Sequence, residues 1–152
     1  VEAVGVYIFP ELGYYPESMF AVLTLLSHLD HPRQIREFIN SLPPTFSMKE
    51  KIPCPKEARD DVMSELERRI DSQETSIFDG REKATMNRID GLRIEWPPPK
   101  ADWLLIRPSG TEPIIRVTVE STSEEGARNL TTKAANLVRD VVSSFATTET
   151  RA

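Results

Sequence analysis

The chain has few of the features that staple small secreted proteins or anchor membrane proteins. It contains one cysteine, Cys54, among 152 residues. A single thiol excludes a disulfide framework and any multi-cysteine metal site, and such sparse use fits a reducing compartment. No apolar run approaches the ~18–20 residues that a membrane helix needs. Val1–Pro10 also lacks the basic start of a signal peptide. Positive charge is scarce: 19 Lys and Arg face 24 Asp and Glu, a net charge of −5. That sign is wrong for a general nucleic-acid footprint. These absences predict a cytoplasmic protein with neither nucleic acid nor membrane among its partners. The chain also starts on Val1, inside an apolar run, without a methionine. This start predicts a piece of a longer protein.

Proline is missing from residues 56–96 and 114–152, and all 12 prolines lie in 10–55 and 97–113. Proline-free stretches are open to regular structure. Val4–Phe9 is apolar and β-branched enough for a strand. Pro16 can open a helix, because its missing N–H costs nothing there. Met19, Phe20, Val22, Leu23, Leu25, Leu26 and Leu29 then recur at helical spacing. A shorter helix is predicted from Pro32 through Leu42, stopped by Pro43 and Pro44. His28 and His31, three apart, read as helix-end solvation rather than metal ligands.

After a linker over 43–46 the pattern is clearer. Ser47–Pro53 predicts a strand, and Pro55 a helix start with Ala58, Val62, Met63, Leu66 and Ile70 on one face. Glu65 and Arg69 form an i,i+4 pair on that helix. Thr75–Phe78, Ile89–Trp96, Trp103–Arg107 and Ile114–Glu120 predict strands, with Asp79–Gly80 and Asp90–Gly91 as turns. Thr122 and Glu125 predict a capping box for a helix that carries Ala127, Leu130, Ala134, Leu137, Val138, Val141, Val142 and Phe145 on one side. The fold class is therefore α+β: a mainly antiparallel, four-stranded sheet covered by two helices over 47–147. A strand–helix unit over 1–42 precedes it, and a frayed tail over 148–152 follows.

The chemistry concentrates in Arg107-Pro-Ser-Gly-Thr-Glu-Pro113-Ile-Ile-Arg116. Alternation puts Trp103, Leu105 and Arg107 on one side of a strand and Leu104 and Ile106 on the other. In a hairpin, Arg107 and Arg116 converge at the loop end. Between them lie the hydroxyls of Ser109 and Thr111, and Gly110, which lets an anion approach its N–H. Guanidinium forks, hydroxyls and free amides in one tight loop suit phosphate oxygens. The same residue types also suit a plain turn whose arginines pair with surface acids. Composition leaves both readings open.

The segment resembles the phosphate-binding loop of the α-D-phosphohexomutases, the superfamily of phosphoglucomutases, phosphomannomutases and phosphoglucosamine mutases. The resemblance extends to Lys51-Ile-Pro-Cys-Pro-Lys56, Ile89-Asp-Gly-Leu-Arg-Ile94, Trp103-Leu-Leu-Ile106 and Tyr7-Ile-Phe-Pro-Glu11. It implies the C-terminal, TATA-box-binding-protein-like domain of a four-domain enzyme, with residues 1–42 the tail of the third, α/β domain. Such an enzyme interconverts hexose 1-phosphate and hexose 6-phosphate. Its serine passes a phosphoryl group to and from the sugar through a bisphosphorylated intermediate that reorients in the cleft. The resemblance assigns the grip on the non-transferred phosphate to Arg107, Ser109, Gly110 and Thr111, with Glu112 and Arg116 orienting the loop. It also implies a phosphosugar and the enzyme's N-terminal domains as partners. Neither the family's serine loop nor its Asp-x-Asp-x-Asp magnesium loop occurs here. Catalytic residues and Mg²⁺ are therefore expected outside this chain, which by itself is expected to be inactive. The family's sugar loop, Gly-Glu-x-Ser-Gly-His, would fall on Val1-Glu-Ala-Val-Gly-Val6, where Glu2 and Gly5 match. Glu2 is thus a sugar-binding candidate. The altered loop keeps a second reading open, a non-catalytic phosphosugar-binding or regulatory module.

Overall fold

Two proline pairs of opposite effect frame the first part of the chain: Pro16 and Pro32 precede helices, and Pro43 and Pro44 end the second. The computed structural model describes residues 7–73, 75–78, 84–98 and 101–149, with only the backbone for 146–149. It divides between Pro43 and Pro44 into two units. In the first, α1 spans Ser18–Ser27 and α2 spans Arg33–Ser41. Half of the strand expected over Val4–Phe9 lies outside the described residues. Within the remainder, Ile8 makes an isolated antiparallel bridge to Pro16. His28 Nδ1 lies 2.8 Å from the Thr24 carbonyl, and His31 Nδ1 accepts the Arg33 N–H. Both imidazoles thus serve helix ends. Helix α1 exposes Met19, Val22, Leu23, Leu25 and Leu26 by half or more.

The second unit is a five-stranded antiparallel sheet with two helices on one face. Strand β1 runs Phe46–Pro53, β2 Thr85–Asn87, β3 Leu92–Glu95, β4 Trp103–Pro108 and β5 Ile114–Ser121. Their order is β1-β5-β4-β3-β2. Helix α3 is Arg59–Asp71 and α4 is Glu124–Glu149. Helix α4 lies over β1 and β5, and α3 packs beside it toward β4. Val62, Leu66 and Ile70 of α3 interleave with Leu130, Ala134, Val138 and Val141 of α4. Beneath them lie Ile94, Leu104, Ile106, Ile115, Val117 and Val119, all fully buried. Each such aliphatic contributes about 1.5–3 kcal/mol through burial.

Four local expectations are corrected. The sheet has five strands rather than four, because Thr85–Asn87 pairs with β3 in a hairpin closed at Asp90–Gly91. Thr75–Phe78 is not a strand. Ser76–Phe78 is a 3₁₀ turn, capped by Thr75 Oγ1 accepting the Ile77 N–H at 3.0 Å, and it inserts the fully buried Ile77 into the core. Helix α3 begins at Arg59, not Pro55, since a turn over Lys56–Arg59 comes first. The cap of α4 is Ser123 rather than Thr122: Ser123 Oγ accepts the Gly126 N–H at 3.0 Å. A Cβ on Gly126 would lie 2.5 Å from Ser121 Oγ and 2.7 Å from Ser123 Oγ, so a side chain there would have to displace these hydroxyls from the cap.

Ion pairs tie the outer surfaces. Arg88 in the β2–β3 turn reaches both Glu67 and Asp71 of α3, and Arg139 of α4 pairs with Glu50 of β1. Hydrogen bonds from Arg68 and Arg69 hold the Glu65 carboxyl down at about 2. The core nevertheless dominates stability, because exposed pairs contribute little. Leu66→Ala is expected to destabilise the chain by about 2–5 kcal/mol. Urea unfolding followed by circular dichroism measures this, and a loss under 1 kcal/mol would mean that α3 does not share the core.

Candidate functional site

Every other residue of β4 and β5 is buried, so the remaining set faces away from the helices. Arg107 and Arg116 belong to this open set and lie directly opposite each other in the β4–β5 register. Lys51 of β1 is opposite Arg116 in turn. One row across three neighbouring strands therefore reads Lys51, Arg116, Arg107. Like charges directly opposite repel, and two carboxylates answer them. Asp90 Oδ2 accepts from Arg107 Nη1 at 2.8 Å. Glu112 accepts from Arg116 Nη2 at 2.7 Å and from Lys51 Nζ at 3.2 and 3.3 Å. Hydrogen bonds from Lys51 and then Arg116 hold the Glu112 carboxyl below its ordinary value. Three cations against two carboxylates leave the row positive.

The loop from Ser109 to Pro113 closes over the end of this row. Its neck is the Ser109 N–H donating to the Ile114 carbonyl at 3.0 Å. Ser109 is buried, and its Oγ accepts from Arg116 Nη2 at 3.1 Å and from the Glu112 N–H at 3.3 Å. A hydroxyl has two acceptor positions and one donor. With both acceptor positions used, its proton is the part left to donate. Gly110 and Thr111 are exposed at the tip. A Cβ on Gly110 would meet no atom within 4 Å, so the space above its backbone is open to a ligand. Among the described residues, no hydrogen bond engages the N–H groups of Gly110 and Thr111. Open amides, a donor hydroxyl and two guanidinium groups form a donor set suited to an oxyanion.

The structure thus brings Arg107, Ser109, Gly110, Thr111, Glu112 and Arg116 together at one end of the β4–β5 hairpin. Glu2 lies outside the described residues. Four further residues join the site without having been singled out from the sequence. Lys51 enters through the β1–β5 pairing. Asp90 anchors Arg107 from the β2–β3 turn. Gly91, with φ +91°, must be glycine, because a Cβ would lie 2.4 Å from the Ile106 carbonyl oxygen and 2.7 Å from Arg107 Cβ. Arg59, at the start of α3, donates to the carbonyls of Ser109 and Glu112 from beneath the loop. An alternating strand pattern places Lys51 on the open face. No local signal marks Arg59. Cys54, between prolines, is buried under the same loop, and its N–H donates to the Pro113 carbonyl at 2.9 Å. Burial pushes its thiol up, partly offset by the Arg59 charge. It is a packing residue.

Residues 51–137 match the family model for the phosphoglucomutase/phosphomannomutase C-terminal domain. The chain belongs to this family. A probable phosphoglucosamine mutase from Pyrococcus horikoshii is 36% identical over 144 residues, covering 93% of this chain and 29% of the relative. The phosphoglucosamine mutase of Methanocaldococcus jannaschii is 33% identical over 145 residues, covering 95% of this chain and 30% of the relative. The chain thus spans about three-tenths of the length of these curated relatives. Among solved structures, a phosphoglucomutase/phosphomannomutase family protein from Burkholderia thailandensis superposes with a TM-score of 0.55. At 20% identity over 84% of this chain and 24% of that one, it shows the shared fold of this C-terminal domain.

The charge pairing in this family member gives a directional test. The Glu112 pKa is lowered, so its pairing stabilises the folded chain above the ordinary carboxylate value of 4.5 and is lost as pH falls through the lowered value. Carboxyl ¹³C NMR should find Glu112 titrating below 4.5, and Lys51→Met should move that titration upward. An unmoved titration in Lys51→Met would remove Lys51 from the row.

Proposed function

We propose that this chain is the substrate-phosphate-binding end of a phosphohexomutase, an isomerase that moves a phosphoryl group between two positions of a hexose. The observation that carries the reading is the loop from Arg107 to Arg116, which gathers two guanidinium groups, the Ser109 hydroxyl and two unengaged amides, with open space over Gly110. Its role is positioning. A sugar phosphate gripped by its non-transferred phosphate places its other end at the reacting centre, and fixed placement alone lowers a barrier by several kcal/mol. Because the loop recognises a phosphate rather than a sugar carbon, it can hold either end of a bisphosphorylated intermediate. The names of the curated relatives make glucosamine phosphate the first substrate to try.

Within this reading, residues 1–42 are the tail of the preceding α/β domain, 43–46 the hinge, and 47–147 the phosphate-binding domain. The exposed apolar face of α1 supports the first of these, since such a stripe calls for a covering layer. The other domains of the longer enzyme are its partners. They supply the phosphoryl-carrying serine and the Mg²⁺ site, and Mg²⁺ provides charge neutralisation during phosphoryl transfer. Among the described residues, no three His, Cys, Asp or Glu side chains are grouped to hold a metal ion, so the residues here do not fit such a site. The single buried cysteine supports a cytoplasmic setting.

Glucosamine 6-phosphate should bind this chain, measured by calorimetry. Arg107→Ala should weaken it by about 10- to 100-fold, the size of a charge-assisted hydrogen bond. Equal binding by Arg107→Ala would sink the clamp. A coupled mutase assay should find no Mg²⁺-dependent turnover by this chain and clear turnover by the longer protein that contains it. Binding without turnover by the longer protein would instead indicate a non-catalytic phosphosugar module.

A further inference from the structure

The phosphate loop has a support that no part of its own sequence supplies. Arg59, the first residue of α3, reaches up under the hairpin. Its Nη1 donates to the Ser109 carbonyl at 2.7 Å and its Nη2 to the Glu112 carbonyl at 2.9 Å. The two nitrogens belong to one rigid planar fork, so both carbonyls are held as a pair. Helix α3 in turn holds the fork, because Val62, Leu66 and Ile70 seat it in the core.

Peptide geometry turns this into a statement about the opposite side of the loop. In a planar trans peptide the C=O and the following N–H point in opposite directions. With the Ser109 carbonyl turned down onto Arg59, the Gly110 N–H is turned up, toward the open space over its backbone. A flip of that one peptide would put a carbonyl lone pair where an anion must approach. Gly110 is the loop position most open to such a flip, since glycine carries no Cβ to restrict it. The Glu112 carbonyl is fixed twice, by Arg59 and by the Ile114 N–H at 2.9 Å, and Pro113 has no N–H to offer. Meanwhile Arg59 Nε is buried without a hydrogen-bond partner. An unmet buried donor is costly, so the fork is placed for the two carbonyls at the expense of its own third nitrogen.

We infer that Arg59 is a positioning residue for phosphate binding: it pins the Ser109 and Glu112 carbonyls inward so that the Gly110 amide faces the anion. This rests on the phosphate reading of the loop proposed above. Arg59 acts through the peptide groups it holds and touches no ligand itself.

The test is a titration of the ¹⁵N-labelled chain with inorganic phosphate, comparing wild type with Arg59→Lys. Lysine keeps the positive charge and loses the fork, so it separates geometry from general attraction. In the wild type, the Gly110 and Thr111 amide signals should shift saturably. In Arg59→Lys the dispersion of the other amides should be retained, while phosphate affinity falls by about tenfold. A folded Arg59→Lys chain that binds phosphate as tightly as wild type overturns the inference. A wild type whose loop amides never respond to phosphate removes the phosphate reading instead, and this inference with it. If Arg59→Lys fails to fold, the wild type still decides. Couplings through the hydrogen bonds, from Arg59 Nη to the carbonyl carbons of Ser109 and Glu112, must appear in the phosphate-bound chain, and their absence overturns the assignment.

Discussion

The register of β4 against β5 is the constraint on which the rest of this domain depends. Arg107 opposite Arg116 and Ile106 opposite Val117 are two consequences of one alignment. Side chains alternate strictly along a strand, so a slip by one residue would exchange the two faces. Two guanidinium groups would then enter a core of aliphatic side chains, where an unpaired charge is prohibitively costly. The hydrophobic effect thus enforces the placement of the site, although no site residue contributes much to the core. Open face and buried face are the same pattern seen from two sides.

That alignment creates an electrostatic problem, which two carboxylates answer. Lys51, Arg116 and Arg107 lie side by side, and exposed carboxylates hold them apart from one another's repulsion only in part. Glu112 bridges two of the cations and Asp90 holds the third. Exposed pairs of this kind are individually weak, so an incoming oxyanion can share these cations without dismantling the fold. Rigidity comes from elsewhere: the buried Ser109, the neck hydrogen bond, the Arg59 fork and Gly91 packed against Arg107. Soft charges are thereby mounted on a hard frame.

Legibility in the sequence followed the range of the interactions. The β4–β5 hairpin, α3 and α4 were readable because alternation and helical spacing are local, and the buried sets Leu104/Ile106 and Ile115/Val117/Val119 match the alternation residue for residue. Thr75–Phe78 reads as a strand because Thr75 and Ile77 are β-branched and Phe78 is aromatic, whereas the 3₁₀ turn buries Ile77 against α4. Thr85–Asn87 was missed because three residues carry too little pattern, and its pairing with β3 alone defines it. The cap falls one residue after Thr122 because Ser123 also carries a hydroxyl, which accepts the Gly126 N–H, while Ser121 Oγ accepts the Ser123 N–H.

The sequence by itself determined the α+β class, the hairpin that juxtaposes Arg107 and Arg116, and the cluster of donors between them. Those properties rest on residue type, alternation and short spacing, all readable along the chain. Tertiary structure alone decided that Lys51 joins the cation row, that Asp90 anchors Arg107, and that Arg59, 50 residues away from Ser109, holds the loop from beneath. The reason is physical. Strand order and helix placement are set by burying one continuous core, and which distant polar residues then meet on the far side is a consequence of that burial rather than of any local pattern.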